Sequence, residues 1–93
     1  MSVQYQNQTL SLSGELTFNT VQLVYNELKS ISSSVTGDVT LDLSKVTKVD
    51  TAALALCTSF QALLLDQAQL SFLHAPADLL GIAESVGVGS LFT

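Results

Sequence analysis

DLSKVTKVDTAALAL, residues Asp42 to Leu56, is the stretch whose reading decides the fold. It opens as an alternating strand. It then crosses a short segment read as a loop, which holds Lys45 and Lys48, two of the chain's three basic residues. The pair Asp50-Thr51 follows and leads directly into an uncharged helical run. A hydroxyl next to a carboxylate at a helix start has two uses. It can cap the helix, because Asp and Thr are both preferred N-caps; on this reading Asp42 polarises a strand end and Asp50 or Thr51 caps. Alternatively, Thr51 is presented at the helix N-terminus as a docking or phosphorylation point. The free amides and the helix dipole would favour a phosphate there. Asp42 and Asp50 would oppose it by charge, and Lys45 and Lys48 would offset part of that repulsion.

The helix read over residues 51–67 has an unusual face. Thr51, Ala55, Thr58, Ser59 and Ala62 fall on one side at i, i+4, i+7, i+8 and i+11, all small and uncharged. Leu54, Leu56, Cys57, Phe60, Leu63 and Leu64 fill the opposite side and suffice for a core. A solvated helix face normally carries Lys and Glu. Either the helix is covered on both sides within the domain, or Ala55, Thr58, Ser59 and Ala62 form an exposed docking face for a partner.

Outward from this stretch, strands and helices alternate. Val3 and Tyr5, then Leu10 and Leu12, alternate with polar residues around Asn7 and Gln8, which predicts two antiparallel strands joined by a tight turn. Asn19 is the expected N-cap of a first helix, with Gln22 completing a capping box and Phe18 and Leu23 forming a hydrophobic staple. Val21, Val24, Tyr25, Leu28 and Ile31 follow at helical spacing. Residues 32–34 and Gly37 end that helix. Val39, Leu41 and Leu43 predict a third strand, and Leu70 to His74 a fourth. Pro76 opens a third helix that Gly87 stops. The tail from Val88 to Thr93 is read as an added edge strand. The order ββαβαβα predicts an α/β domain over residues 1–93. Its mixed sheet has four to five strands, a parallel crossover and helices mainly on one face.

Composition narrows the function classes. The chain has 93 residues and a net charge of -5; 47% of its residues are apolar and only 12% are charged. That charge share is about half the usual one for a soluble domain, which points to a surface covered by a partner. Three lysines among eight acidic residues argue against nucleic acid and anionic lipid headgroups, which need clustered basic side chains. The longest charge-free run, residues 51–65, is shorter than the ~20 residues that span a bilayer. The N-terminus lacks the apolar core of a signal peptide, and Cys57 has no disulfide partner. A cytoplasmic protein is expected.

Enzyme constellations are nearly absent. His74 has no second ligand at metal spacing. Cys57 lies in the apolar helix with no His to generate a thiolate. The five glycines form no phosphate loop. No catalytic residue, metal or cofactor is expected.

SLSGEL at Ser11–Leu16, LDLSKVTKVDTAAL at Leu41–Leu54 and the strand-then-helix pattern from Leu70 to Val86 resemble the STAS domain family, the fold of the anti-sigma-factor antagonists. The resemblance covers nearly the whole chain. It implies that Thr51 stands where partner kinases phosphorylate the antagonists, with Asp50 and Asp42 as the acidic residues around it. The antagonists usually carry Ser-Ser-Gly or Ser-Ala-Gly at this turn, whereas here it is Thr51-Ala52-Ala53. The short chain and the Thr are more similar to MlaB-type STAS proteins, which bind the ATPase subunit of a phospholipid ABC transporter. The resemblance therefore implies a non-enzymatic accessory subunit whose partner is that ATPase. Such a protein would be cytoplasmic, held at the inner face of the inner membrane through the transporter, and would support lipid asymmetry. The alternative it implies is an anti-sigma-factor antagonist partnered by a kinase and controlled at Thr51. A small enzyme or ligand-binding module is the third class, least supported by the residues.

Overall fold

The computed structural model describes residues 2–92. The elements are β1 (Ser2–Gln6), β2 (Thr9–Leu16), α1 (Val21–Ser32), β3 (Gly37–Val49), α2 (Thr51–Leu64), β4 (Ala68–Leu73), α3 (Ala77–Ser85) and a closing 3-10 turn (Gly89–Phe92). They form a mixed α/β fold with a four-stranded sheet in the order β1-β2-β3-β4. The β1–β2 pair is antiparallel. The β2–β3 and β3–β4 pairs are parallel, each bridged by one helix.

One sheet face holds the core. Leu10, Leu12 and Leu16 of β2 and Val39, Leu41 and Leu43 of β3 are fully or almost fully buried. The alternate residues Thr9, Ser11, Ser13, Thr40 and Asp42 remain partly open on the other face. Period-two alternation with a single apolar set leaves only one face to cover. The helices cover it with Val24 and Leu28 of α1, Leu54, Cys57, Phe60 and Leu64 of α2, and Leu79 and Ala83 of α3.

The β1–β2 turn is the expected tight one. Asn7 (φ 54°) and Gln8 (φ 63°) both have positive φ, as a two-residue hairpin of matching twist requires. Glycine is the easier choice at the second position. Gln8 compensates with its side chain: Nε2 donates to the carbonyls of Thr36 and Asp38 at 2.8 Å each, and Oε1 accepts from the Tyr5 hydroxyl at 2.9 Å.

Several sequence expectations change. The segment from Ser44 to Val49 is not a loop: β3 runs on through it, paired with β2 as far as Leu16↔Val49. Two register shifts, at Ser11/Ser13 and Gly14/Glu15, each give β3 one extra residue. Such bulges reset the side-chain period, so Ser44, Lys45, Thr47 and Lys48 do not alternate as strand residues should. Gly14 (φ 101°) supplies the backbone that the second shift needs.

The N-cap of α1 is Thr20, not Asn19. Its Oγ1 accepts from the Thr17 amide at 3.0 Å and donates to the Glu15 carbonyl at 2.9 Å, closing the turn instead of capping the helix. Gln22 bonds Asn26 and makes no capping box. The expected staple does not bury its members: Phe18 is 82% exposed and Leu23 71%. Helix α2 ends at Leu64, three residues before the expected Gln67, and β4 occupies 68–73. Pro76 is the N-cap of α3. Gly87 (φ 83°) ends α3 in a Schellman turn, with Val88 N–H on the Ala83 carbonyl and Gly87 N–H on the Glu84 carbonyl. That turn directs residues 89–92 into a 3-10 coil, not an edge strand; Thr93 lies outside the described residues.

Candidate functional site

Asp50 organises the start of α2. It sits in extended conformation (φ -140°, ψ -169°), as an N-cap does. Its Oδ1 accepts from the Ala52 amide at 2.9 Å, and its Oδ2 accepts from the Phe18 amide at 3.0 Å. Its own carbonyl accepts from the Ala53 amide at 3.0 Å. One carboxylate thus caps the helix and ties it to the β2–α1 turn. The alternative left open by the sequence resolves on two different residues: Asp50 caps, and Thr51 is the first helical residue, exposed and relieved of capping.

The small-residue face is open. Thr51, Ala55, Thr58, Ser59 and Ala62 are all exposed, while Leu54, Leu56, Cys57, Phe60 and Leu64 on the opposite side are buried. Helix α2 is therefore covered on one side only. Thr58 donates its hydroxyl to the Ala55 carbonyl at 2.9 Å, so its polar group is turned back onto the helix. Beside this face, α1 and α2 leave a groove of about 380 Å³, lined by Val21, Gln22, Tyr25, Ala52, Ala55, Leu56 and Ser59. None of these side chains is charged.

The other predicted residues separate. Asp42 and Thr51 do not share a neighbourhood. Asp42 projects from the sheet face away from the helices, because Leu41 and Leu43 on either side of it are buried in the core. It also lies seven strand residues before Val49, on the order of 20 Å along β3. Its Oδ1 accepts from the Ser44 amide at 2.9 Å and lies 3.5 Å from Nδ1 of His74. The Ser44 amide, outweighing desolvation and aided by the Ser44 side chain and His74, holds its carboxyl below the ordinary value. Lys45 and Lys48 pair in register with Ser13 and Glu15, and neither joins an ion pair among the described residues. The field of Asp42 does not reach the Thr51 hydroxyl at this separation in water.

Cys57 is buried, and desolvation pushes its thiol up to about 12. Among the described residues no three His, Cys, Asp or Glu side chains converge on a point where a metal could sit. Among them, too, no helix is long and apolar enough to cross a membrane.

Two features of the site were not read from the sequence. Phe18 was assigned to a staple, yet its amide bond to Asp50 holds it beside the α2 N-terminus with its ring in solvent. The groove arises between two helices, so no single periodic pattern announces it.

A mixed sheet with helices over one face, and an exposed Thr following a capping Asp at the start of the second helix, define a STAS-type domain. Such domains are binding and regulatory modules that act through protein–protein contacts. The chain belongs to the family described as "Mlab, STAS domain", whose profile matches residues 1–93. Among solved structures, it is similar to the anti-sigma factor antagonist SpoIIAA in its unphosphorylated form. The TM-score is 0.73 at 12% identity, over 99% of this chain and 84% of that one. A structure of Mglu is similar over 82% of this chain but only 19% of its own length, with TM-score 0.62 and 19% identity. At these identities the likeness is one of fold. No curated protein matches the chain by sequence.

Proposed function

We propose that the chain is a non-enzymatic accessory subunit that docks on the ATPase of an Mla-type ABC transporter and supports phospholipid transport and outer-membrane lipid asymmetry. The observation that carries this reading is the uncharged, exposed side of α2, with Thr51 at its head and the capping task already taken by Asp50. A helix face without charge, next to a neutral groove and an exposed Phe18, suits a dry contact with another protein and suits water poorly. Thr51, Ala55, Thr58, Ser59 and Ala62 form the docking face. Asp50 positions it, and Lys45 and Lys48 lie on the strand that leads to it. Asp42 plays no direct part. In this reading the protein works at the cytoplasmic face of the inner membrane, held there by the transporter.

The second reading is an anti-sigma-factor antagonist switched by phosphorylation of Thr51. The fold likeness to SpoIIAA favours it. The same face would then meet a kinase.

The test is binding of the purified chain to the transporter ATPase and, separately, to an anti-sigma-factor kinase with ATP. Saturable binding to the ATPase that Thr51→Glu weakens supports the first reading. Phosphate incorporation lost in Thr51→Ala supports the second. Binding to neither partner refutes both.

A further inference from the structure

The outer edge of β4 is unlike the other edge of the sheet. The groove beside β1 is polar, lined by Gln4, Gln6, Asn7, Thr9 and Ser11. Beside β4 two grooves, of about 560 and 340 Å³, share Gln61 and Leu70 and make one trough. Its apolar lining includes Leu65 and Val88, which are 75% and 37% exposed. Phe92 rests edge-on against Phe72 at 4.9 Å and anchors the 3-10 turn that forms the far wall. The strand itself, AQLSFL, has no charge and no proline, and pairs with β3 through all six residues without a bulge. Sheet edges are normally blunted by such devices. An open strand edge with an apolar trough is matched by another strand that brings apolar side chains on one face.

We propose that this edge pairs with the β4 edge of a second copy of the chain, antiparallel about a two-fold axis through Leu70, giving one continuous eight-stranded sheet. The register follows from geometry. Directly opposed residues in an antiparallel pair point to the same sheet face. To keep both helix layers on one side, Ala68, Leu70 and Phe72 must oppose one another. Centring on Leu70 sets Leu70 against Leu70, Ala68 against Phe72 and Gln69 against Ser71. It also brings Asp66, just before β4, towards His74 of the second copy, just after it, at both ends of the seam. Opposite charge at the ends then guides the pairing, and the strand between carries none. A six-residue edge with its trough buries roughly 500 Å² per copy, at the low end for specific association, so the dimer is weak and concentration-dependent. Only Thr58 is shared with the docking face on α2, so dimerisation stands or falls independently of the proposed partner.

Sedimentation velocity of the intact chain from about 5 to about 500 µM should show a monomer–dimer shift, and Leu70→Lys should abolish it. A positional check uses introduced thiols. Leu70→Cys places two thiols on residues about 4.5–5.5 Å apart at Cα, within disulfide reach, and should cross-link under mild oxidation. Gln69→Cys and Ser71→Cys place them on diagonals of about 7–8 Å and should cross-link far less. A monomer throughout the concentration range overturns the proposal and leaves the edge to a strand of another protein or to none. Equal cross-linking at all three positions overturns it as well.

Discussion

Replacing Ala55 by Arg separates the docking reading from a purely structural one. Ala55 is exposed in the middle of α2 and lines the α1–α2 groove. Arg is a good helix former and its stem can lie along the helix, so stability should change by no more than about 0.5 kcal/mol. In a complex the same side chain would either clash with a closely approaching partner or carry an unpaired guanidinium into a neutral, dry contact. Leaving a charge buried without a partner costs about 3–5 kcal/mol. At 1.4 kcal/mol per tenfold, the affinity should fall by about 10²- to 10³-fold. Ala62→Arg, one turn and more further along the same face, should behave alike. Ala53→Arg is the opposite control: Ala53 is 0% exposed, and a charge there should unfold the domain. The assay is calorimetric titration of each variant into the ATPase, with a thermal melt followed by circular dichroism on the same sample. If Ala55→Arg melts like the parent chain and binds within about threefold of it, the α2 face is not the interface. If it melts far below the parent, the claim that this side of α2 is free of the core is wrong.

Three further outcomes follow from the geometry. Asp50→Ala removes both the Ala52 cap and the tie to Phe18, so it should cost at least the ~1 kcal/mol of a lost cap and lower Tm by about 4–8 °C; Asp50→Asn, which keeps one acceptor oxygen, should cost less. Gln8→Ala leaves a non-glycine residue at φ 63° and loses three side-chain bonds, so chemical denaturation should show a larger loss of stability than for Gln8→Gly, which relaxes the backbone while losing the same bonds. The depressed carboxyl of Asp42 stabilises the fold fully above its ordinary value of 3.8, and that contribution disappears as pH falls through the lower folded value; Asp42→Asn should therefore flatten the stability–pH profile in the acid range below about pH 4 and leave its neutral-pH slope unchanged.

The sequence made the order of elements legible because its strongest signals are local. Leu10, Leu12, Val39, Leu41 and Leu43 alternate cleanly, and all five face the core. Thr51, Ala55, Thr58, Ser59 and Ala62 keep helical spacing, and all five are exposed. What escaped depended on pairing between segments. The bulges opposite Ser13 and Glu15 are set by β2, so the strand through Lys45 and Lys48 imitates a loop when read alone. Asn19 and Thr20 are adjacent capping residues, and the choice fell to Thr20 because its hydroxyl reaches the Glu15 carbonyl across the turn. Asp42 was grouped with Asp50 and Thr51 because they are close in sequence. An extended strand separates in space what is near along the chain, and the face on which a residue emerges follows from its register. Phe18 was the most misleading residue. A large apolar side chain next to a helix start suggests a staple, yet a side chain on another element, Asp50, fixes its amide and leaves the ring outside.

The division of tasks at residues 50 and 51 bears on how such a surface can change over evolutionary time. Because the carboxylate of Asp50 secures both the helix and the neighbouring turn, the hydroxyl of Thr51 owes nothing to folding. Position 51 is then free to vary at little thermodynamic penalty, and a lineage can retune partner choice there by single substitutions that leave the scaffold intact. Asp50 has no such latitude. A change there would disturb the helix start and the turn together, so the residue that never touches a partner would be the slower of the two to drift.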